Sequence, residues 1–194
     1  MKLSPMIMSS AALITLITAV PAMAHTGHSA GSGLQSGLLH PLSGLDHLLA
    51  MLAIGFWAAM QNRAQQISIP VTFILFLAVG FFMATGGVVL PLVEHTIAAS
   101  VLVCGLIIAT AVRLPAIATL TLTALFACAH GQAHGAEVSG ASVLLFAAGF
   151  MSSSAILHLT GMGIFKASRT LTPRLAHIAG AVIASVGSYL LLTI

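Results

Sequence analysis

Charge is what this chain has least of. Its 194 residues hold three acids and six bases, 5% of the total, where soluble domains carry about 25%. With 59% apolar residues and a mean hydropathy of +1.12, a water-soluble domain is excluded and one integral membrane domain is expected. The pI near 9.4 rests on a handful of bases, too few for a nucleic-acid surface. Cysteine is scarce too. Cys104 and Cys128 lie in apolar stretches, form no CxxC pair and provide no disulfide framework; they read as small buried residues. A phosphate-binding loop is missing, so nucleotide hydrolysis is not expected. No persuasive Ser/His pair stands out in the apolar segments, so a rhomboid-like serine protease is not expected. Ser152, Ser153 and Ser154 read as polar helix packing. There is no internal repeat, low-complexity tract or soluble domain.

The amino terminus reads as a processing signal. Lys2 supplies a positive start, and Ala11 to Val20 is apolar but too short to span a bilayer. Ala22-Met23-Ala24 fits a small-x-small cleavage site, so residues 1–24 are expected as a signal peptide. Cleavage there leaves a flexible, histidine-containing leader, 25–37, outside the cytoplasm, with His25 and His28 either collecting metal or serving as tolerated polar residues. An uncleaved signal anchor gives the same topology downstream.

Six apolar segments follow, at about 41–60, 67–91, 96–113, 115–134, 138–162 and 174–193. Each approaches the roughly 20 residues that a helix needs to cross about 30 Å of hydrocarbon. Backbone polar groups must be satisfied internally in lipid, so the segments are helices. The expected fold is therefore an all-α, six-helix membrane bundle over 38–194. Arg63, Arg113, Lys166, Arg169 and Arg174 fall at alternate connections, on one side, while Asp46, Glu94 and Glu137 fall on the other. The positive-inside rule places the basic side in the cytoplasm. The expected location is a bacterial cytoplasmic (inner) membrane, with both mature termini outside. Small residues within the helices, such as Gly80, Gly149 and Gly180, allow close backbone approach.

Against this background two polar clusters stand out. The first is His40-Pro-Leu-Ser-Gly-Leu-Asp46-His47, the second His130-Gly-Gln-Ala-His134-Gly-Ala-Glu137. Polar groups are costly near lipid and mark function there. Pro41 suits the first turn of a helix. A helix starting near His40 puts His40 and His47 on roughly one face, with Met51 a turn below, as core packing or a soft contact. In the second cluster His130, His134 and Glu137 share a face if the helix persists. Gly131 and Gly135 could instead break it, or serve a close helix contact. If the two helices are neighbours, four imidazoles and two carboxylates converge. Six N and O donors exceed a tetrahedral structural zinc site and suit an adaptable divalent ion such as nickel or cobalt. Ligand type alone does not exclude Cu(II) or Zn(II). Glu94 and His95 read as an outer loop pair or a capture group. His158 and His177 are expected near the inner ends of the fifth and sixth helices, as relay groups or simple interfacial residues.

The two clusters give the chain its family likeness. It resembles the HupE/UreJ family of nickel and cobalt permeases, whose first membrane helix carries His-Pro-x-x-Gly-x-Asp-His, here His40 to His47. The family's second motif, Phe-His-Gly-x-Ala-His-Gly-x-Glu, is matched by His130 to Glu137, with Ala129 where the family usually has Phe. The likeness covers the whole chain. It implies secondary uptake of Ni²⁺ or Co²⁺ for hydrogenase, urease or cobalamin synthesis, with the ion as cargo and no cofactor required. A divalent ion and the lipid bilayer are the expected partners, nucleic acid and nucleotide are not, and a homo-oligomer stays open. An intramembrane metallohydrolase using Glu137 as base, or a metal-binding sensor or subunit of a larger complex, are the alternatives.

Overall fold

A computed structural model describes residues 33–138 and 142–194. The expected signal peptide, with His25 and His28, lies outside the described residues. The described chain is helical, with no strand among the described residues. Helix α1 (Gly33–Leu39) runs into a 3-10 turn, His40–Leu42. Then follow α2 (Leu45–Ala59), α3 (Arg63–Thr85), α4 (Val93–Thr110), α5 (Ala116–Glu137), α6 (Val143–Leu171) and α7 (Pro173–Thr193). Helices α3 to α7 are each long and apolar enough to cross a membrane. The segment Gly33–Leu42 with Leu45–Ala59 makes a sixth crossing if this pair, bent by 80°, counts as one broken span. The chain is a multi-pass membrane protein.

Local chemistry sets the boundaries. Asn62 caps α3 by accepting the Gln65 N–H at 3.0 Å. That helix ends at Gly86-Gly87, where Gly87 adopts φ +85°. Thr172 caps α7 by accepting from Arg174 N–H at 3.2 Å, with Pro173 in the first turn. Leu92 and Ala111 sit in the left-handed region, at φ 58° and 52°, on either side of α4. A non-glycine residue there carries a cost of about 1–2 kcal/mol, which the tight reversals at both ends of α4 impose.

Three expectations are corrected. The flexible leader expected over 25–37 is instead helical from Gly33, within Gly33–Leu39. It packs along α6, where Gly37 meets the Phe146 and Phe150 backbone and Gly149 meets that of Leu34 and Leu38. The fifth segment was ended at 162, but α6 runs to Leu171. A helix need not stop at the edge of the hydrocarbon, and the basic residues of its last turns complement the helix dipole. The first segment is not one helix from 41, because the chain breaks between Leu42 and Leu45.

The core forms where one side of each helix turns inward. On α3, Ile69, Phe73, Leu77 and Phe81 recur every fourth residue and are fully buried, while Ile67, Val71, Leu75 and Phe82 point outward and are exposed. An apolar outer face of this kind suits lipid rather than water. The chief pairings are α3 with α5, α4 with α7, and α1 and α2 with α6. Glycine makes the first of these close. A Cβ on Gly131 would collide with the Leu77 carbonyl oxygen, one on Gly135 with that of Phe81, and one on Gly80 with that of Cys128. Gly105, Gly180 and Gly187 do the same between α4 and α7. The bundle alternates direction, so Arg63, Arg113, Lys166, Arg169 and Arg174 gather at one end, and both histidine clusters lie at the other.

Gly131→Val should force α3 and α5 apart, because backbone rather than a movable side chain stands in the way. We expect a stability loss of about 1–3 kcal/mol, read as a lower midpoint of thermal unfolding in detergent. An unchanged midpoint would show that the two helices are free to separate.

Candidate metal centre

The first cluster is built by a break. Pro41 is buried in the 3-10 turn, and α2 starts afresh after Gly44, whose backbone is extended at φ −107°, ψ 128°. His40 and His47 therefore do not share one helix face; the bend brings them together from two segments. The first turn of α2 then folds a carboxylate onto an imidazole. Asp46 Oδ1 accepts the His47 backbone N–H at 2.8 Å and stands 2.9 Å from His47 Nδ1. A carboxylate accepts only, so Nδ1 carries the proton and Nε2 keeps its lone pair. The start of α2 adds the positive end of a helix dipole beneath Asp46. A Cβ on Gly44 would lie 2.7 Å from Asp46 Oδ1 and 3.3 Å from His47 Nδ1. Glycine at this position leaves the room in which the pair folds back.

The second cluster stays helical through Glu137. Of the roles open to Gly131 and Gly135, close contact with α3 is the one observed. That contact turns His130 and His134 into the bundle, where they are 0% and 5% exposed. His130 Nε2 lies 3.1 Å from Ser100 Oγ of α4. The single Ser100 hydroxyl proton goes to the Ile97 carbonyl at 2.6 Å. Ser100 Oγ therefore accepts from His130 Nε2–H, and Nδ1 holds the free lone pair.

His40 Nε2 and His134 Nδ1 are 2.5 Å apart. Glu137 Oε2 stands 3.6 Å from the first and 3.9 Å from the second. These three ligand atoms all lie within 4.8 Å of one another. An ion with ligands at about 2.1 Å holds neighbouring donors roughly 3 Å apart in an octahedron. Gripping one here needs only small shifts, the two rings parting and the carboxylate closing in. Glu137 is exposed and free to swing, whereas His134 is fixed. Below this triad lies a layer of imidazoles. The His47 ring is 4.2 Å from that of His134 and 4.7 Å from that of His130. His47 Nε2, His130 Nδ1 and His134 Nε2 are all buried with no hydrogen-bond partner. Buried polar atoms are rarely left unpaired, and several in one place call for a ligand. His134 belongs to both layers, with Nδ1 in the triad and Nε2 in the imidazole layer. Phe146 and Phe150 of α6 wall the site, with ring centres 5.2 Å from His40 and 4.5 Å from His134. Aromatic packing around it thus comes from α6, although residue 129 is alanine.

The remaining candidates are dispersed. Met51 is wholly buried in the core. Glu94 and His95 sit in the first turn of α4 rather than in the loop before it, and both are exposed. Neither joins the group of ligand atoms among the described residues. His177 lies near the basic end, where Nδ1 donates to the Ala109 carbonyl at 2.7 Å. His158 is not near the inner end of its helix; it stands at mid-length in α6, fully buried.

Sequence reasoning passed over Ser100 and Gln132. Gln132 is buried on α5 between the two cluster histidines. Its Oε1 accepts Leu90 N–H at 3.1 Å, and its Nε2 donates to Val88 O at 3.0 Å and Gly80 O at 3.3 Å. It ties the loop between α3 and α4 to the metal-site helix. An amide inside a lipid-facing helix was the available signal. Ser100 gave none, since its role depends on which helix faces α5.

Gly44→Ala should push the Asp46 carboxylate off the His47 ring. A disturbed carboxylate–histidine partner typically weakens metal binding by about 10–100-fold. Calorimetric titration of Co²⁺ in detergent should show a loss of that order. Wild-type affinity would mean that the Asp46–His47 contact does not prepare the site.

Comparison with known proteins places the chain in a family. The family model described as "HupE / UreJ protein" matches residues 13–190. The chain is 36% identical over 176 residues to a protein named "Protein HupE" from Rhizobium leguminosarum bv. viciae, covering 88% of this chain and 90% of the relative. No solved structure matches. With a family match over nearly its full length and a relative aligned across both histidine clusters, the chain belongs to the HupE/UreJ family.

Proposed function

We propose that this protein is a permease that takes up a divalent transition metal, Ni²⁺ or Co²⁺, across the bacterial cytoplasmic membrane. One observation carries the reading. Four imidazoles and two carboxylates from α2, α5 and the His40 turn lie together at the acidic end of a lipid-facing bundle, with three buried ring nitrogens unpartnered. The histidine end faces outward, because the basic residues gather at the other end and the positive-inside rule sets that end in the cytoplasm. Both mature termini then lie outside. Family membership supports Ni²⁺ or Co²⁺ over other divalent ions and a role beside hydrogenase or urease.

In this mechanism Glu137, exposed and mobile, meets the hydrated ion first. His40 Nε2 and His134 Nδ1 replace part of its water. His134 then hands the ion inward to His47 Nε2 and His130 Nδ1, whose tautomers Asp46 and Ser100 hold ready. Asp46 acts chiefly by orienting His47, as carboxylates do behind metal-binding histidines. Inward movement needs no ATP. A divalent charge gains about 4.6 kcal/mol per 100 mV, at about 2.3 kcal/mol for each elementary charge.

Purified protein in liposomes with an inside-negative potential should show saturable influx of Ni²⁺ or Co²⁺ exceeding that of Zn²⁺. His47→Ala should lower it at least tenfold at equal incorporation, and Asp46→Asn should lower it as well. Binding with no flux would favour a sensor or subunit; metal-dependent cleavage of a lipid or peptide would favour a hydrolase. The pH dependence has a definite sign. A protonated imidazole cannot ligate, so affinity should fall as the medium is acidified, by up to roughly one decade per pH unit for each imidazole engaged once protons compete with the ion. Binding that does not weaken at any acidic pH at which the protein stays folded would exclude histidine as the main ligand.

A further inference from the structure

His158 is the one fully buried titratable side chain whose two ring nitrogens both lack a partner among the described residues. Its burial is not incidental. Gly55 of α2 packs directly on the His158 carbonyl, and Gly161 packs on the Leu52 carbonyl one turn along, so α2 and α6 clamp this stretch. The ring points at Phe73 of α3, centre to centre 4.8 Å and nearly perpendicular. The same Phe73 ring lies 5.9 Å from His130. One phenyl ring therefore separates His158 from the innermost imidazole of the metal centre. Nearer the basic ends of α2 and α5, Trp57 Nε1 and Thr119 Oγ1 are also buried and unpartnered. The unpaired atoms thus run from the metal centre toward the opposite end of the molecule.

A buried imidazole with no hydrogen bond is unfavourable compared with a hydrocarbon of the same shape. Its presence there calls for a use. We propose that His158 is a second metal-binding station, on the inner side of Phe73, which receives the divalent ion after the His47–His130 layer. This rests on the uptake reading given above. A single imidazole occupies one position on the ion and leaves the others to the water that the ion carries with it. Such binding is weak, and a station of passage must be weak: conduction needs sites strong enough to enter and loose enough to leave. The tight outer cluster captures the ion, and His158 draws it past an apolar ring that would otherwise block its way.

The experiment uses two replacements in reconstituted full-length protein, with Co²⁺ and Cd²⁺ as probes under an inside-negative potential. His158→Phe fills the volume and removes both ligand atoms. It should melt no lower than wild type, bind Co²⁺ at the outer cluster with unchanged affinity, and lose at least tenfold in Co²⁺ influx. His158→Cys restores a ligand, but a soft one. It should regain flux over His158→Phe, with the ratio of Cd²⁺ to Co²⁺ influx raised at least fivefold over wild type. Wild-type influx by His158→Phe overturns the proposal. So does equal loss in both variants with unaltered metal preference, which would mark a packing role. If wild type binds Co²⁺ and moves none, the permease reading fails by itself. The station is then decided by Co²⁺ per chain at saturation: one fewer in His158→Phe keeps it, and equal counts end it.

Discussion

The contact of Gly131 and Gly135 with the Leu77 and Phe81 backbone decides which way α5 faces, and the metal centre follows from that orientation. In lipid there is little hydrophobic drive between helices, so close packing and hydrogen bonds must hold them. Two glycines one turn apart provide a flat seat on α3. The residue before each glycine, His130 and its counterpart His134, then projects into the bundle. Gln132 adds a polar tie from the same helix to the loop beyond α3. One stretch of eight residues thus carries the ligands, the seat that aims them and the clamp on the neighbouring loop.

The centre is prepared by hydrogen bonds that choose tautomers. Asp46 takes the proton side of His47, and Ser100 takes the proton side of His130. Each leaves a lone pair in a buried place with nothing to meet it. Leaving the lone pairs unpaired costs stability. His134, with one ring nitrogen beside the exposed Glu137 carboxylate and the other in the buried imidazole layer, joins the two layers.

Much of this was legible in the chain. Scarce charge and long apolar runs announced a helical membrane protein, and the bases at alternate connections gave the order of ends. The two clusters were readable because carboxylates and imidazoles are so rare in such company. Less readable were the helical stretch from Gly33, the break before Leu45 and the continuation of α6 to Leu171. Gly33–Leu39 looks like a linker by composition, since its small residues serve contact with α6 rather than flexibility. The break at Gly44 hides in a motif that has helical spacing. Ser100 and Phe73 carried no mark of their own, because a serine or phenylalanine in an apolar helix is ordinary until its neighbour is known.

The sequence by itself determined the solvent, the number of crossings to within the broken one, and the identity of the clustered imidazoles and carboxylates. These depend on transfer energies and on donor chemistry, which belong to each residue wherever it lies. The tertiary structure alone decided that His40 and His47 meet across a bend, that Asp46 serves His47, and that His158 stands at mid-depth behind Phe73. Those facts depend on which backbone approaches which. In this protein that is settled by a few glycines whose partners lie tens of residues away, so no local reading of the chain contains them.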